Sequence, residues 1–300
     1  MTGQIVECVP NFSEGQDAGK VHAIATAIGS VTGVVVLDVT LDPDHHRSVI
    51  TFAGPADSVG EAALLGVAQA VDTIDLTTQS GVHPRIGAAD VVPFVPVQNI
   101  TMKECADLAA DVGEQIWKRL RVPVYLYEAA ARRPDRVNLE NIRRGGFEKL
   151  RDLARTDPDR RPDFGEAALH PTAGATVVGA RKFLVAFNIN LNTADVKLAQ
   201  AIAKRIRASS GGLPFVKAMG VRLKSRSLAQ VSMNLTNFEI TPISAVFAIV
   251  STEAALAGVE ISGSEIVGLI PRKALDGSEE WLPTVENFNP GLILENRLGI

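Results

Sequence analysis

Cysteine is scarce in this 300-residue chain: Cys8 and Cys105 are its only two. Two are too few for a disulfide framework or a thiolate zinc site. Long apolar runs are missing as well. The run 245–250 is among the longest, whereas a bilayer span needs about 18–20 residues, so no transmembrane helix is expected. The opening residues 1–7 have neither a basic n-region nor an apolar h-region, which makes the cytoplasm the expected address. Catalytic signatures are missing too. No G-x-x-x-x-G-K-[ST] occurs, since 15–20 is too short and lacks the hydroxyl; there is no G-x-G-x-x-G after a strand, no G-x-S-x-G, no H-E-x-x-H and no C-x-x-C. Nucleoside-triphosphatase, dinucleotide oxidoreductase, α/β-hydrolase and thiolate-metal chemistry all lose support. What is present is ordinary globular material, 46 % hydrophobic and 21 % charged, long enough for one large or two small domains.

The net charge of −4 gives no reason to expect nucleic acid, yet it hides an asymmetry. Residues 118–226 carry 23 basic and 10 acidic side chains, and the rest of the chain carries 7 basic and 24 acidic. Such segregation can form a positive cleft that gathers anionic ligands. It can equally form a solvated basic face that meets an acidic face of another protomer.

Hydrophobic periodicity lays out the elements. Strands are expected over 5–9, 33–39, 48–53, 91–97, 122–127, 183–191, 215–223, 229–235 and 260–270. The 33–39 strand reads as buried, and 91–97, with two prolines, reads as an edge. Helices are expected after Ser13 and Gln16, after Ser58 and Glu61, and after Thr101 and Glu104, each pair spaced as a capping box. Thr193 caps a further helix, and Thr241-Pro242 opens another with proline in its first turn. Residues 128–180 read as a helix followed by a long functional or linking segment. The strand–turn–helix at 231–257 echoes the one at 49–74. The expectation is therefore α/β (α+β), with two related ferredoxin-like βαββαβ-type subdomains, 1–178 and 179–300, and a ligand cleft between them.

His83 stands out chemically. It sits in a loop shaped by Gly81, Pro84 and Gly87, and an imidazole can take and return a proton near neutral pH. The alternative is a turn histidine facing water. Arg85 beside it could hold an anionic substrate. The run 42–47 gathers Asp42, Asp44, His45, His46 and Arg47, but adjacent histidines entering a strand point to opposite faces, which favours a hydrated loop over a metal site. His22 reads as structural or exposed, and His170 could line a cleft. Asn11, Asn188, Asn190, Asn234 and Asn237 cluster at expected strand ends, where most are read as closing turns.

Several blocks, in order along nearly the whole chain, resemble the glutamate formimidoyltransferase family. They are residues 7–15 (ECVPNFSEG), 83–96 (HPRIGAADVVPFVP), 123–127 (PVYLY), 179–191 (GARKFLVAFNINL) and 228–235 (LAQVSMNL). The resemblance implies two α/β subdomains with folate bound between them, and transfer of a formimidoyl group between 5-formimidoyltetrahydrofolate and L-glutamate in histidine degradation. It places the catalytic histidine on His83. It places the folate-binding stretch on Gly165, Glu166, Ala167, Ala168, Leu169, His170, Pro171, Thr172, Ala173 and Gly174. That stretch matches at its glycines better than in its middle. Where some members carry an acid just after the second strand, this chain has Thr40.

The residues and the resemblance agree. A tetrahydrofolate co-substrate, with or without a polyglutamate tail, and glutamate are both anions suited to the basic block. Arg47, Arg85, Arg181 and Lys182 are candidate contacts for them. A protonated amidine would be stabilised by a carboxylate, for which Glu7, Asp38 and Asp42 are unranked candidates. No metal, nucleotide, nucleic acid or membrane is expected. The family resemblance implies a homodimer, and no cyclodeaminase domain is expected to follow the transferase. Formyl transfer to glutamate or disposal of 5-formyltetrahydrofolate at the same site, or a non-catalytic folate-binding module, are the competing readings.

Overall fold

A computed structural model describes residues 3–43, 45–79, 84–223 and 226–300. The chain divides into two compact units, Met1–Arg181 and Lys182–Ile300. A boundary at 178/179 would cut the last strand of the first unit, which runs to Ala180.

The first unit runs β1 (Ile5–Cys8), β2 (Asn11–Phe12), α1 (Ala18–Gly29), β3 (Val35–Asp42), β4 (Arg47–Gly54), α2 (Ala56–Thr73), β5 (Ala89–Gln98), α3 (Met102–Leu120), β6 (Val124–Glu128), α4 (Leu139–Arg143), α5 (Gly146–Thr156) and β7 (Thr176–Ala180). β1 lies between β4 and β5, and β3 pairs with the far side of β4, all antiparallel. β7 then joins β5 in parallel and carries β6 on its other side. Alternation in the strands sends Val6, Cys8, Phe12, Ile50, Phe52, Val92 and Phe94 to one face, where they meet apolar residues of α1, α2 and α3. On the opposite face Val91, Tyr125, Tyr127 and Val177 pack with Ile142 of α4 and Leu150 of α5.

The second unit runs β8 (Val185–Leu191), α6 (Val196–Ile206), β9 (Val216–Leu223), β10 (Leu228–Leu235), α7 (Ile243–Leu256), β11 (Ile261–Val267) and α8 (Leu294–Leu298). Its sheet has the order β11-β8-β10-β9, antiparallel throughout. Its core gathers one face of that sheet with α6 and α7. It includes the fully buried Trp281, whose ring meets Phe187 edge-on at 5.4 Å.

The two units share a topology. Counting strands from each unit's start, β8–β11 have the spatial order 4-1-3-2, and so do β1, β3, β4 and β5. Both are the interleaved βαββαβ arrangement expected from the sequence. The helix–strand pair α3–β6 and the later strand β7 are additions to the first unit alone.

Several local expectations are corrected. β5 is central despite Pro93 and Pro96. Pro93 faces the break between β1 and β2, where its carbonyl accepts from the Val9 N–H, and Pro96 lies beyond the last β5–β7 pair at the register shift of β1. Neither missing N–H is needed by the ladder. β3 is an edge strand, so Val35 and Val39 are exposed rather than buried. β7 was not expected as a strand. Thr101 and Glu104 form their capping box, but other caps shift. Asp17 caps α1 and Asp195 caps α6. Pro55 and Pro242 precede α2 and α7 without side-chain caps. Asn188 and Asn190 lie mid-strand in β8, where Asn188 donates to Glu265 at 2.8 Å and Asn190 accepts from Gln230 at 2.9 Å. Asn234 is within β10, while Asn237 does close a turn, its carbonyl accepting from Ile240 and Thr241.

β9 lies so close to α6 that a Cβ at Gly220 would stand 2.2 Å from the Gln200 nitrogen, a backbone atom. The Gly220→Ala variant is expected to push α6 off the sheet and cost at least about 1–3 kcal/mol, the range for overpacking. Denaturant unfolding checks this, and an unchanged midpoint would show that the helix can move freely.

Candidate active site

Two stretches far apart in sequence meet at the C-terminal end of α2. The first is 84–90, which follows the loop bearing His83. His83 itself, with residues 80–82, lies outside the described residues. The second is the 165–174 stretch. Leu76 N–H donates to the Thr172 carbonyl, Ala88 N–H to Ala173, and Ala175 N–H to Ile86, each at 2.9 Å. Gly87 and Gly174 pair directly between them. A Cβ on Gly87 would fall 2.0 Å from the Ala175 oxygen, and one on Gly174, whose φ is +70°, would fall 2.1 Å from the Ile86 oxygen. Only glycine permits this approach.

Within the second stretch, His170 and Gly174 exchange both backbone hydrogen bonds around a tight turn. The His170 Nδ1 accepts from the N–H groups of Ala173 at 3.0 Å and Thr172 at 3.4 Å. That fixes the neutral Nε2–H tautomer, and burial holds its pKa below the ordinary histidine value. Leu169 packs into the core, while Gly165, Glu166, Ala168 and Pro171 are exposed; Ala167 and Thr172 are intermediate.

The first stretch is held by charge. Asp90, buried at the start of β5, accepts from the Ile86 N–H at 2.8 Å and from the guanidinium of Arg143 on α4. Arg47 opens β4 nearby. Burial, followed by repulsion from Arg143, lowers its pKa to about 10 against the pull of Asp90 and Asp42. Arg85 turns its guanidinium inward, onto Gln79 and the Leu76 carbonyl, with Glu148 at 3.3 Å on its outer side.

Beside them, Glu14 accepts from the N–H groups of Gln16 (2.9 Å) and Asp17 (3.0 Å) and meets His46 Nε2 at 3.0 Å. Burial opposes its ionisation, but these hydrogen bonds outweigh it and keep the carboxyl below its usual range. His45 points elsewhere, its Nδ1 2.6 Å from Asp42. The two histidines thus separate, as their adjacency implied. Among the described residues no three metal-ligating side chains converge, and no helix is long and apolar enough to cross a membrane.

Glu7 is buried in β1, Asp38 is on the edge strand β3, and Asp42 ends β3. The Arg181 side chain reaches the buried Tyr127 hydroxyl, whose pKa burial pushes up to about 12. Lys182 pairs with Glu239 at 3.2 Å. His22 is exposed on α1. Much of the basic block is structural, as with Arg136, fully buried on Asp163, and Arg160, which donates to the carbonyls of Asn141 and Ile142. Sequence reading missed Glu14, Gln79, Asp90 and Arg143 as members of the cluster. Asp90 carried a signal, a lone acid opening an apolar strand.

The fold and this cluster define an α/β protein of two subdomains whose polar cluster is built on the first. The family described as formiminotransferase domain, N-terminal subdomain, matches residues 5–181, and the formiminotransferase domain matches 186–289. The chain belongs to the formiminotransferase family. It is 46 % identical over 296 residues to the glutamate formimidoyltransferase of Streptococcus pyogenes serotype M1, covering 98 % of this chain and 99 % of that one. Identity to the glutamate formimidoyltransferase of Thermoplasma acidophilum is also 46 %, covering 98 % and 97 %. The formimidoyltransferase-cyclodeaminase of Mus musculus is 41 % identical, and the match covers 99 % of this chain and 57 % of that longer protein.

Protonating His170 would turn Nδ1 from acceptor to donor, facing two N–H groups. Its folded pKa is lowered, so the unfolded chain binds the proton first as pH falls. Its contribution is complete above about pH 6.5, the unfolded value, and is lost as pH falls toward the folded value. The wild-type thermal midpoint is expected to drop across that window, and more steeply than that of His170→Asn, which has no titrating ring. Parallel curves would show that the ring does not couple to stability.

Proposed function

We infer that this chain transfers a formimidoyl group between 5-formimidoyltetrahydrofolate and L-glutamate, in histidine degradation. The observation that carries this is the match to glutamate formimidoyltransferases at 46 % identity across nearly the whole of both chains. The tetrahydrofolate derivative is a co-substrate. No resident metal or nucleotide is invoked, and the proposed state is a cytoplasmic homodimer.

The reaction asks for one group that moves a proton twice. The amine of glutamate must lose a proton to attack the amidine carbon. The folate nitrogen must gain one as its bond to that carbon breaks. His83 is assigned both transfers, since an imidazole titrates near working pH. Residues 165–174 are assigned to the folate. Support comes from the hydrogen bonds that tie 172–175 to Leu76, Ile86 and Ala88, close in sequence to His83. Of the candidate anion contacts, Arg47 and Arg85 belong to this cluster; Arg181 and Lys182 are proposed for other carboxylates of the substrates.

The His83→Ala variant is expected to lose about 10²–10⁴-fold in kcat, the usual share of general acid–base catalysis. Folate binding should stay within about tenfold, because the proton transfer acts in the transition state rather than in the ground state. The check is mass-spectrometric product analysis with tetrahydrofolate and formimidoylglutamate, alongside a folate binding isotherm. A parallel loss of binding and rate would make His83 structural, and absence of product from the wild-type protein would refute the transferase reading itself.

A further inference from the structure

The second unit keeps a polar array on the face of its sheet turned away from α6 and α7. Phe187, Ile189 and Val231 alternate into the core, so Asn188, Asn190 and Gln230 stand on the other face. Register adds Glu265, opposite Asn188, and Gly263, opposite Asn190. An outer face of an antiparallel sheet is ordinarily solvated, and its polar side chains act singly. Here Asn188, Asn190 and Gln230 are all buried and joined in one hydrogen-bonded network with Glu265.

The network converges on one atom. Glu265 Oε1 accepts from Asn188 Nδ2 at 2.8 Å and from Gln230 Nε2 at 3.1 Å, and Gln230 Nε2 also donates to Asn190 Oδ1 at 2.9 Å. Neutral amides thus hold the carboxylate in place without balancing its charge. The neighbouring acid shows the contrast. The Glu286 side chain occupies the space that Gly263 leaves, where a Cβ would stand 2.2 Å from its Oε1, and Arg226 pairs with both its oxygens at 2.9 and 2.8 Å. Among the described residues Glu265 has no such cation, and its Oε2 accepts no hydrogen bond. Glu265 is partly exposed. The exposed Met219, in the same cross-strand row, and the exposed Val267, two residues along β11, give the same face apolar patches.

We propose that Glu265, held by Asn188 and Gln230, is the acceptor for the 2-amino edge of the reduced pterin. This rests on the reading of tetrahydrofolate as co-substrate. A fixed carboxylate with a free oxygen calls for a ligand rich in N–H donors. Glutamate and the folate tail each bring two carboxylates, which Glu265 repels, and the glutamate amine must be free to attack. The pterin is uncharged and flat, and it presents its 2-amino group and N3–H on one edge. A charged acceptor makes such a hydrogen bond roughly twice as strong as a neutral one, and a flat ring can cover the apolar side chains of the same face.

The test measures, by calorimetry on the full chain, the affinity for tetrahydrofolate and for its 2-desamino analogue. Tetrahydrofolate carries no formimidoyl group, so a loss seen with it belongs to the pterin. The wild type should bind the analogue about 10–100-fold more weakly, the range for a hydrogen bond to a charged group. Glu265→Gln turns an amide NH₂ toward the ligand's amino group, because Asn188 and Gln230 hold the new carbonyl oxygen. It should lose a similar factor for tetrahydrofolate and no longer tell the two ligands apart. Glu265→Asp keeps the charge; its loss should be smaller, with a reduced preference, and it serves if Glu265→Gln does not fold. KM for glutamate should stay within about threefold in both variants. Equal wild-type affinities for the two ligands would overturn the proposal, as would a Glu265→Gln variant that still prefers tetrahydrofolate by the wild-type factor. A raised KM for glutamate with tetrahydrofolate affinity intact would make Glu265 a glutamate contact instead. A wild type that binds no tetrahydrofolate refutes the co-substrate reading itself, and this site with it.

Discussion

The close backbone contact between Gly87 and Gly174 is the constraint on which the first unit's chemistry depends. Each residue stands where a Cβ would overlap a carbonyl of the other segment. Because neither has one, 86–88 and 173–175 meet in an antiparallel bridge just ahead of the parallel β5–β7 pairing. The strand pair then delivers two loops to one place, the loop before β5 and the turn before β7. Two polar residues of the cluster are tied directly to that seam. Asp90 reaches back to Ile86 from β5, and His170 closes the turn that leads into β7.

Charge is used here largely for construction. Asp90 with Arg143 and Asp163 with Arg136 are buried or nearly so. Removing one partner from such a pair leaves a charge that nothing solvates, so these pairs specify geometry more than they add stability. The basic excess of 118–226 is partly absorbed in the same way. Several of its arginines span the irregular stretch between β6 and β7, where regular backbone pairing is sparse and guanidinium–carbonyl bonds take its place. A count of charges along the sequence could not separate these internal arginines from ones that face a ligand.

The duplicated topology was legible because it rests on local signals: apolar alternation, helical spacing and a strand–turn–helix that recurs. The β9 and β10 strands and the α3 capping box were readable for the same reason. What failed depends on tertiary neighbours. Proline marked β5 as an edge, yet both rings sit where the ladder needs no donor. The β-branched run at the start of β3 suggested burial, yet its strand has only one partner. β7 is short, and its apolar character is set by lying between β5 and β6, which no local window shows. Of the cluster, the loop around His83 and the 165–174 stretch were found as motifs. Gln79 and Arg143 are ordinary residues in sequence and acquire roles only through what they touch.

The order of strands in the first sheet also bears on how the chain is made. β1 emerges first, but its partners are β4 and β5, and β7 must slip between β5 and β6, both synthesised well before it. During vectorial synthesis the sheet therefore holds an unfilled gap until Ala180 has left the ribosome. The strand that fills the gap brings the His170–Gly174 turn with it. Assembly of the polar cluster is thus among the last events in this unit's folding, and a nascent chain stopped short of β7 would carry the His83 loop without the segment that completes its surroundings.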